Sequence, residues 1–239
     1  MSQSPARTRI DVGAAILANA WLARTWSAFL GTTVSLRHPE DVAECTARQA
    51  PDFQVEAGGR AWDGAALGGP SWSEEADPQG VTLQAEFEQD GLLVTSRAFA
   101  FHAAPALLRV LTVANHSGAP MDAGPFTLES LAFDAGTRGT PLTTGALVLS
   151  GGSRAWILAA DAPALPQMDP GGARVAYAGV RTLPPGAQWH LPETALIACD
   201  DATPEAAQAA WGRFLLARRQ LRAWREEAAA ARADAARNN

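Results

Sequence analysis

The sequence contains no lysine. All 19 of its basic residues are arginine, set against 25 acids, and the net charge is −6. A chain with that balance carries no basic field over its length, which argues against general nucleic-acid binding. Cysteine is nearly absent as well. Cys45 and Cys199 form no CxxC pair, and none of His38, His102, His116 and His190 stands at ligand spacing beside them. A structural zinc site is therefore not expected. The two thiols fit a reduced, cytoplasmic setting, with a single disulfide between them left open. No run of about 18 apolar residues exists, so no membrane-spanning helix is expected; the most apolar-looking stretch, residues 14–30, is broken by Asn19, Arg24 and Thr25. The opening MSQSPARTRIDVG has no apolar run behind its charges and does not read as a secretory signal. There is no GxSxG, no HExxH and no glycine-rich phosphate loop. Neither a metal nor an organic cofactor is implied.

What is present is a chain that can bury a core. Of its 239 residues, 47% are hydrophobic and 18% charged, the balance of a folded globular protein. Charge is unevenly placed: from Thr203 onward seven arginines face four acids, a net of +3, which leaves −9 on the rest. The tail is thus suited either to an acidic body or partner, or simply to solvent.

Between these ends the chain reads as strands. Residues 14–36 mix helix-favouring Ala and Leu with alternation at Trp21–Ala28 and a β-rich GTTVSLR, and are expected to form two strands with a turn near Gly31. DFQVEAGGRAW gives two short strands about Gly58-Gly59, and DGAALGGPSWSEEADPQG a long loop with Trp72 inside it. VTLQAEFEQ and LLVTSRAFAFHA flank Asp90-Gly91 as a hairpin. ALLRVLTVANHSG and FTLESLAFDAG are expected to pair next, then a pair about Gly151-Gly152, then strands on either side of the Pro184-Pro185-Gly186 turn. Ten or more short strands without interleaved helices predict an all-β, antiparallel, two-sheet sandwich. No fixed-period repeat points to a propeller.

The sandwich is expected over residues 1–202 and a C-terminal α-helix over 203–239. Thr203 suits the N-cap, Pro204 the first helical position, and Glu205 the positive end of the helix. Trp211, Phe214, Leu215, Leu221 and Trp224 make an apolar stripe that should dock on the sandwich.

Candidate functional residues are few. Eight tryptophans stand against one tyrosine, and an indole offers both a flat face for sugar C–H groups and a donor at its edge. Trp62 and Trp72 bracket the long loop and are the best candidates for carbohydrate or partner contact. Asp200-Asp201 are adjacent on an extended chain, so they point to opposite faces; they read as helix-start charges. His190 and Glu193 could serve acid–base work, though the spacing equally suits a strand rim. His116 lies in a turn. No catalytic residue is assigned.

Several stretches taken together resemble a known domain: LANAWLARTW…TTVSL, PDFQVEAGGRAWDG, LLRVLTVANHSGAPM and VRTLPPGAQWHLPETALIACDD, closed by A…WGRFLLARRQL. Their order is similar to the N-terminal β-supersandwich of family 36 glycoside hydrolases, the α-galactosidase group. The resemblance implies a large supersandwich of the galactose mutarotase-like class. In that family two aspartates on a separate (β/α)₈ barrel perform double displacement. A barrel takes about 250 residues, more than this sequence offers after its sandwich, so the resemblance implies a non-catalytic, carbohydrate-associated domain. It would work with a catalytic barrel chain or domain, with an α-galactoside or other sugar as ligand. Two other readings stay open: a stand-alone sugar enzyme of the aldose epimerase type, and a structural module that builds a homo-oligomer through its arginine-rich helix.

Overall fold

The computed structural model describes residues 5–39, 51–133, 136–151 and 154–237, apart from the side chains of 232 and 234–237. Cys45 lies outside the described residues. Among them the chain forms nineteen strands and one helix. Strands β1 (Arg7–Ile10), β2 (Ala14–Ala18), β3 (Ala23–Ser27) and β4 (Thr33–Arg37) make an antiparallel sheet in chain order. Residues 14–36 thus hold three strands, not two. The extra reversal is at Asn19, whose Oδ1 accepts from the Trp21 and Leu22 backbone N–H groups, an Asx turn that competes with strand continuation. Trp21 sits in that turn.

Strands β5 (Gln54–Ala57) and β6 (Arg60–Trp62) form the expected short hairpin, with both Gly58 and Gly59 at positive φ. Then come β7 (Ser71–Asp77), β8 (Gly80–Gln89), β9 (Leu92–Phe101) and β10 (Ala106–Asn115), an antiparallel meander. Asp90 and Gly91 both adopt positive φ between β8 and β9, as a two-residue hairpin turn requires. The expected long loop is shorter than its composition suggests, because residues from Ser71 add an edge strand.

Strand β11 (Met121–Ala132) does not return along β10. It crosses to the other layer and pairs with β5. Strands β12 (Arg138–Thr143), β13 (Ala146–Ser150) and β14 (Ala155–Ala160) extend the meander's sheet, whereas β15 (Leu165–Asp169), β16 (Gly172–Tyr177) and β17 (Arg181–Leu183) join β11. The Pro184-Pro185-Gly186 turn carries the chain back across, and β18 (Gln188–His190) and β19 (Thr194–Ala198) both pair with β10. The result is a nine-stranded sheet faced by a six-stranded and a four-stranded sheet. Leu17 and Leu36, Val55 and Leu128, and Leu83, Leu111 and Leu158, drawn from all three sheets, share one buried core. One layer of the sandwich is therefore divided in two.

At its centre the nine-stranded sheet is buried on both faces. In β19, Leu196 and Ala198 enter the sandwich core while Ala195 and Ile197 turn outward under the helix α1 (Pro204–Arg237); β14 alternates in the same way. Two covered faces explain why these strands read as unbroken apolar runs. The helix starts as its sequence predicts: Thr203 Oγ1 accepts from the Ala206 N–H at 3.2 Å. It buries Ala207, Ala210, Phe214, Ala217 and Leu221, with Trp211 and Trp224 half-buried beside them. Leu215, placed in the stripe by sequence, is 44% exposed. It follows Phe214 by one residue, a rotation of about 100° off the buried line.

A buried ionic network ties the three sheets together. Arg24 on β3 donates to both carboxylate oxygens of Glu129 on β11 (3.0 and 2.7 Å), to Asp52 Oδ2 (2.7 Å) and to Thr33 Oγ1 (2.8 Å). Arg109 on β10 donates to Glu129 Oε1 (3.1 Å), Ser96 Oγ (2.9 Å) and the Asp52 carbonyl (3.3 Å). All four charged groups are buried, and their charges cancel. Burial alone would lower the Arg24 pKa, but the charges and hydrogen bonds of Asp52 and Glu129 outweigh it and hold the group above its ordinary value. For Glu129, burial pushes upward, and Arg24 and Arg109 together bring it below the usual carboxylate range.

Candidate functional site

The two tryptophans singled out by sequence are spoken for by packing. Trp62 is 4% exposed; its indole N–H donates to the Ala57 carbonyl at 3.1 Å, and the Arg60 guanidinium sits 4.2 Å from the ring centre. Trp62 therefore offers no open ring face for a carbohydrate or partner, because the short β5–β6 hairpin folds it inward. Trp72 is half-buried. Strand alternation turns it toward the core, where its N–H donates to the Ala28 carbonyl at 3.0 Å and its ring lies 6.2 Å from Trp26.

The other candidates do not converge. Asp201 accepts from both the N–H and the hydroxyl of Thr203, bonds that hold its carboxyl below the ordinary value; Asp200 pairs with Arg213 at 3.1 Å. Both serve the helix start. Glu193, together with Asp161, is bound by Arg218 and Arg222 of the helix. Burial pulls the Arg218 pKa down, yet the hydrogen bonds and charges of these two acids leave it raised. This cluster clamps α1 to the sheet and separates Glu193 from His190. His116 faces Glu88 at 3.2 Å in an exposed turn. Cys199 is a buried free thiol, its pKa pushed up to about 11 by burial and by neighbouring Asp200.

His190 belongs to a different place, a groove of about 330 Å³ between the outward face of the nine-stranded sheet and the C-terminal half of α1. Alternation builds its floor. Glu75 and Asp77 on β7, Arg97 and Phe99 on β9, and Leu108, Val110 and Thr112 on β10 each recur at every second residue and so share one face. Register aligns Glu75, Thr82, Phe99 and Leu108 in one row across four strands. Thr112 stands opposite His190, and its hydroxyl shares a 2.9 Å hydrogen bond with the imidazole Nδ1. The helix supplies the wall with Trp224, Arg225 and Ala228. The Arg225 guanidinium carbon lies over Phe99, 5.4 Å from the ring centre. Arg97 reaches Glu75 at 3.4 Å.

A concave site of this size, with a half-buried indole, hydroxyls and charged groups of both signs converging, suits a small polar ligand. The indole offers a face for C–H groups, and the carboxylates, guanidinia and hydroxyls match a polyhydroxylated molecule. Sequence reading placed Trp224 only in the docking stripe and did not single out Glu75, Asp77, Arg97 or Arg225. The signal available was the polar alternation in SWSEEAD and the aromatic-plus-arginine step at Trp224-Arg225, but which strands lie side by side is set by long-range pairing. Among the described residues no cluster of three or more potential metal ligands occurs, and no helix is long and apolar enough to cross a membrane.

No protein-family model matches the chain, and no curated protein matches its sequence. Solved structures do share its fold. A TPR-domain containing protein from Parabacteroides distasonis aligns with TM-score 0.55 and 10% identity over 80% of this chain and 47% of its own length. The GH36 α-galactosidase AgaB from Geobacillus stearothermophilus aligns with TM-score 0.53 and 13% identity over 84% of this chain and 41% of its own. A galactose mutarotase-like protein from Lactobacillus casei aligns with TM-score 0.47 and 12% identity over 78% of this chain and 100% of its own. The chain spans less than half the length of the first two. For the first two the likeness, at these identities, is one of fold, and the described residues form a mostly antiparallel β-supersandwich with a C-terminal helix.

Proposed function

We propose that this chain is a carbohydrate-associated supersandwich domain of the α-galactosidase type. In this reading it is not catalytic alone; it holds a sugar in the sheet–helix groove and supports a catalytic barrel carried by another chain or domain, with α1 leading out of the sandwich. The observation that carries the proposal is the groove itself, where Trp224, Thr112, His190 and the charged pair Arg97–Glu75 converge on one concave face. The fold shared with an α-galactosidase over 84% of this chain supports the pairing with a barrel. The test is hydrolysis of a chromogenic α-galactoside by the purified chain, with thermal-shift titration of galactose and raffinose beside it. A sugar-dependent shift without turnover is expected. Turnover by the chain alone, or no shift with either sugar, contradicts the proposal.

One observation favours a second reading. His190 lines the groove, an imidazole of the kind an aldose epimerase would use for proton transfer at a sugar C1. Polarimetry of freshly dissolved α-galactose decides between them: acceleration by the chain that is lost in His190→Ala supports the epimerase, and an unchanged rate removes it.

A further inference from the structure

We propose that the sheet–helix groove selects an anionic sugar, a pyranose carrying a carboxylate, and that Arg225 receives the carboxylate. The inference rests on the groove being a sugar site and adds the charge of its ligand.

The helix provides an internal comparison. Arg213 holds Asp200, and Arg218 and Arg222 hold Asp161 and Glu193. Arg225, further along the same helix, has no carboxylate partner among the described residues and lies over the ring of Phe99 instead. A guanidinium held over an aromatic ring keeps N–H groups for hydrogen bonding. Those groups match the two oxygens of a carboxylate, and the ring contact limits the freedom lost when they bind. A phosphate fits the same fork but brings a second negative charge into a groove that already holds Glu75 and Asp77.

The remaining charges fix the orientation. Glu75 is held by Arg97 at 3.4 Å. Asp77 accepts from the backbone N–H groups of Gln79 and Gly80 at 2.7 and 3.0 Å, which anchors it in the β7–β8 turn. The β7 side of the groove is therefore negative and suited to accept hydrogen bonds from sugar hydroxyls, while an anion is repelled from it. Toward the helix the sign reverses at Arg225. Nδ1 of His190 is engaged with Thr112. A ligand with hydroxyls at one end and a carboxylate at the other fits this gradient, with the Trp224 ring beside the sugar's C–H face.

The experiment is calorimetric titration of the full chain with galactose, galacturonate, galactose 6-phosphate and inorganic phosphate, repeated with R225Q. Galacturonate is expected to bind about tenfold tighter than galactose, the scale of one charge-assisted hydrogen-bonded pair, and R225Q is expected to bring that ratio to near parity. Circular dichroism and melting of R225Q check that the exposed substitution leaves the fold intact. Galactose binding as tightly as galacturonate, or a preference that survives in R225Q, overturns the inference and leaves the sugar site standing. Galactose 6-phosphate binding as tightly as galacturonate, or inorganic phosphate displacing it, overturns the assignment to a carboxylate. Absence of binding by every sugar overturns both this inference and the proposed function.

Discussion

Replacing Arg24 by Met removes one guanidinium from the centre of the sandwich and leaves Glu129 and Asp52 facing a single remaining cation. In the folded protein Arg24 makes four side-chain hydrogen bonds to three partners on three segments. It is 2% exposed, so solvent cannot take its place. Breaking a buried ionic pair from one side costs about 3–5 kcal/mol. For a domain of this size about 2–4 °C of melting temperature goes with each kcal/mol, so the fall should be roughly 6–20 °C. Urea unfolding followed by tryptophan fluorescence reads the cost directly, with an unchanged m-value showing that the same surface is exposed. The exposed pair Arg60–Asp90, at 65% and 53% exposure, is the control, and Asp90→Asn, which leaves Arg60 over the Trp62 ring, should cost under about 1 kcal/mol. The double variant Arg24→Met/Glu129→Leu removes one charge of each sign and leaves Arg109 beside Asp52 at 3.7 Å. It should cost less than the two single changes added together, by about 1–3 kcal/mol. Strict additivity, or an Arg24→Met cost no larger than that of Asp90→Asn, would refute the claim that these residues act as one network joining three sheets.

Four further outcomes follow from the same structure. Phe214→Ala, which empties the site against Phe101 and Trp211, should cost about 3–5 kcal/mol and raise the binding of a hydrophobic dye as the outer sheet face is uncovered. Arg218→Met, which opens the clamp on Asp161 and Glu193, should cost about 1–3 kcal/mol and speed amide exchange in α1 before it affects the strands. Stability should fall in acid. Glu129 is held below its ordinary value of 4.5, so the folded state binds fewer protons than the unfolded state as pH drops. Its contribution is fully present above that value and is lost as pH falls toward the folded pKa, a loss that Glu129→Gln should blunt. Cys199, with its pKa near 11, should resist alkylation at pH 8 in the folded chain and react once urea exposes it, as read by peptide mass spectrometry.

The strands were largely legible because alternation and two-residue turns are local signals. VTLQAEFEQ-DG-LLVTSRAFAF declares its own pairing. The path of β11 was not legible. A hairpin with β10 looked natural from the Asn115–Gly118 turn, but Asn115 donates to the Ala119 and Leu183 carbonyls and fastens a crossover whose partner lies far along the chain. Arg24 is the sharpest example. In sequence it only interrupts an apolar stretch; in the fold that interruption is the hub of the core, because Asp52, Arg109 and Glu129 come from three distant segments. The same separation hid the groove. Glu75, Arg97, His190 and Arg225 each look like solvated surface until register and the docked helix bring them to one face. Trp62 and Trp72 stand out in sequence for the loop between them, whereas the hairpin and the edge strand turn both rings inward.

A sugar seated in the groove beside Trp224 must be felt by that indole. The eight tryptophan indole N–H resonances of the ¹⁵N-labelled chain, assigned by single substitutions, can be followed while raffinose or galacturonate is added. A saturable shift of the Trp224 resonance is expected, with those of Trp26 and Trp62 unmoved. A titration in which Trp224 stays fixed at sugar concentrations that shift other indoles, or in which no resonance moves, would contradict it.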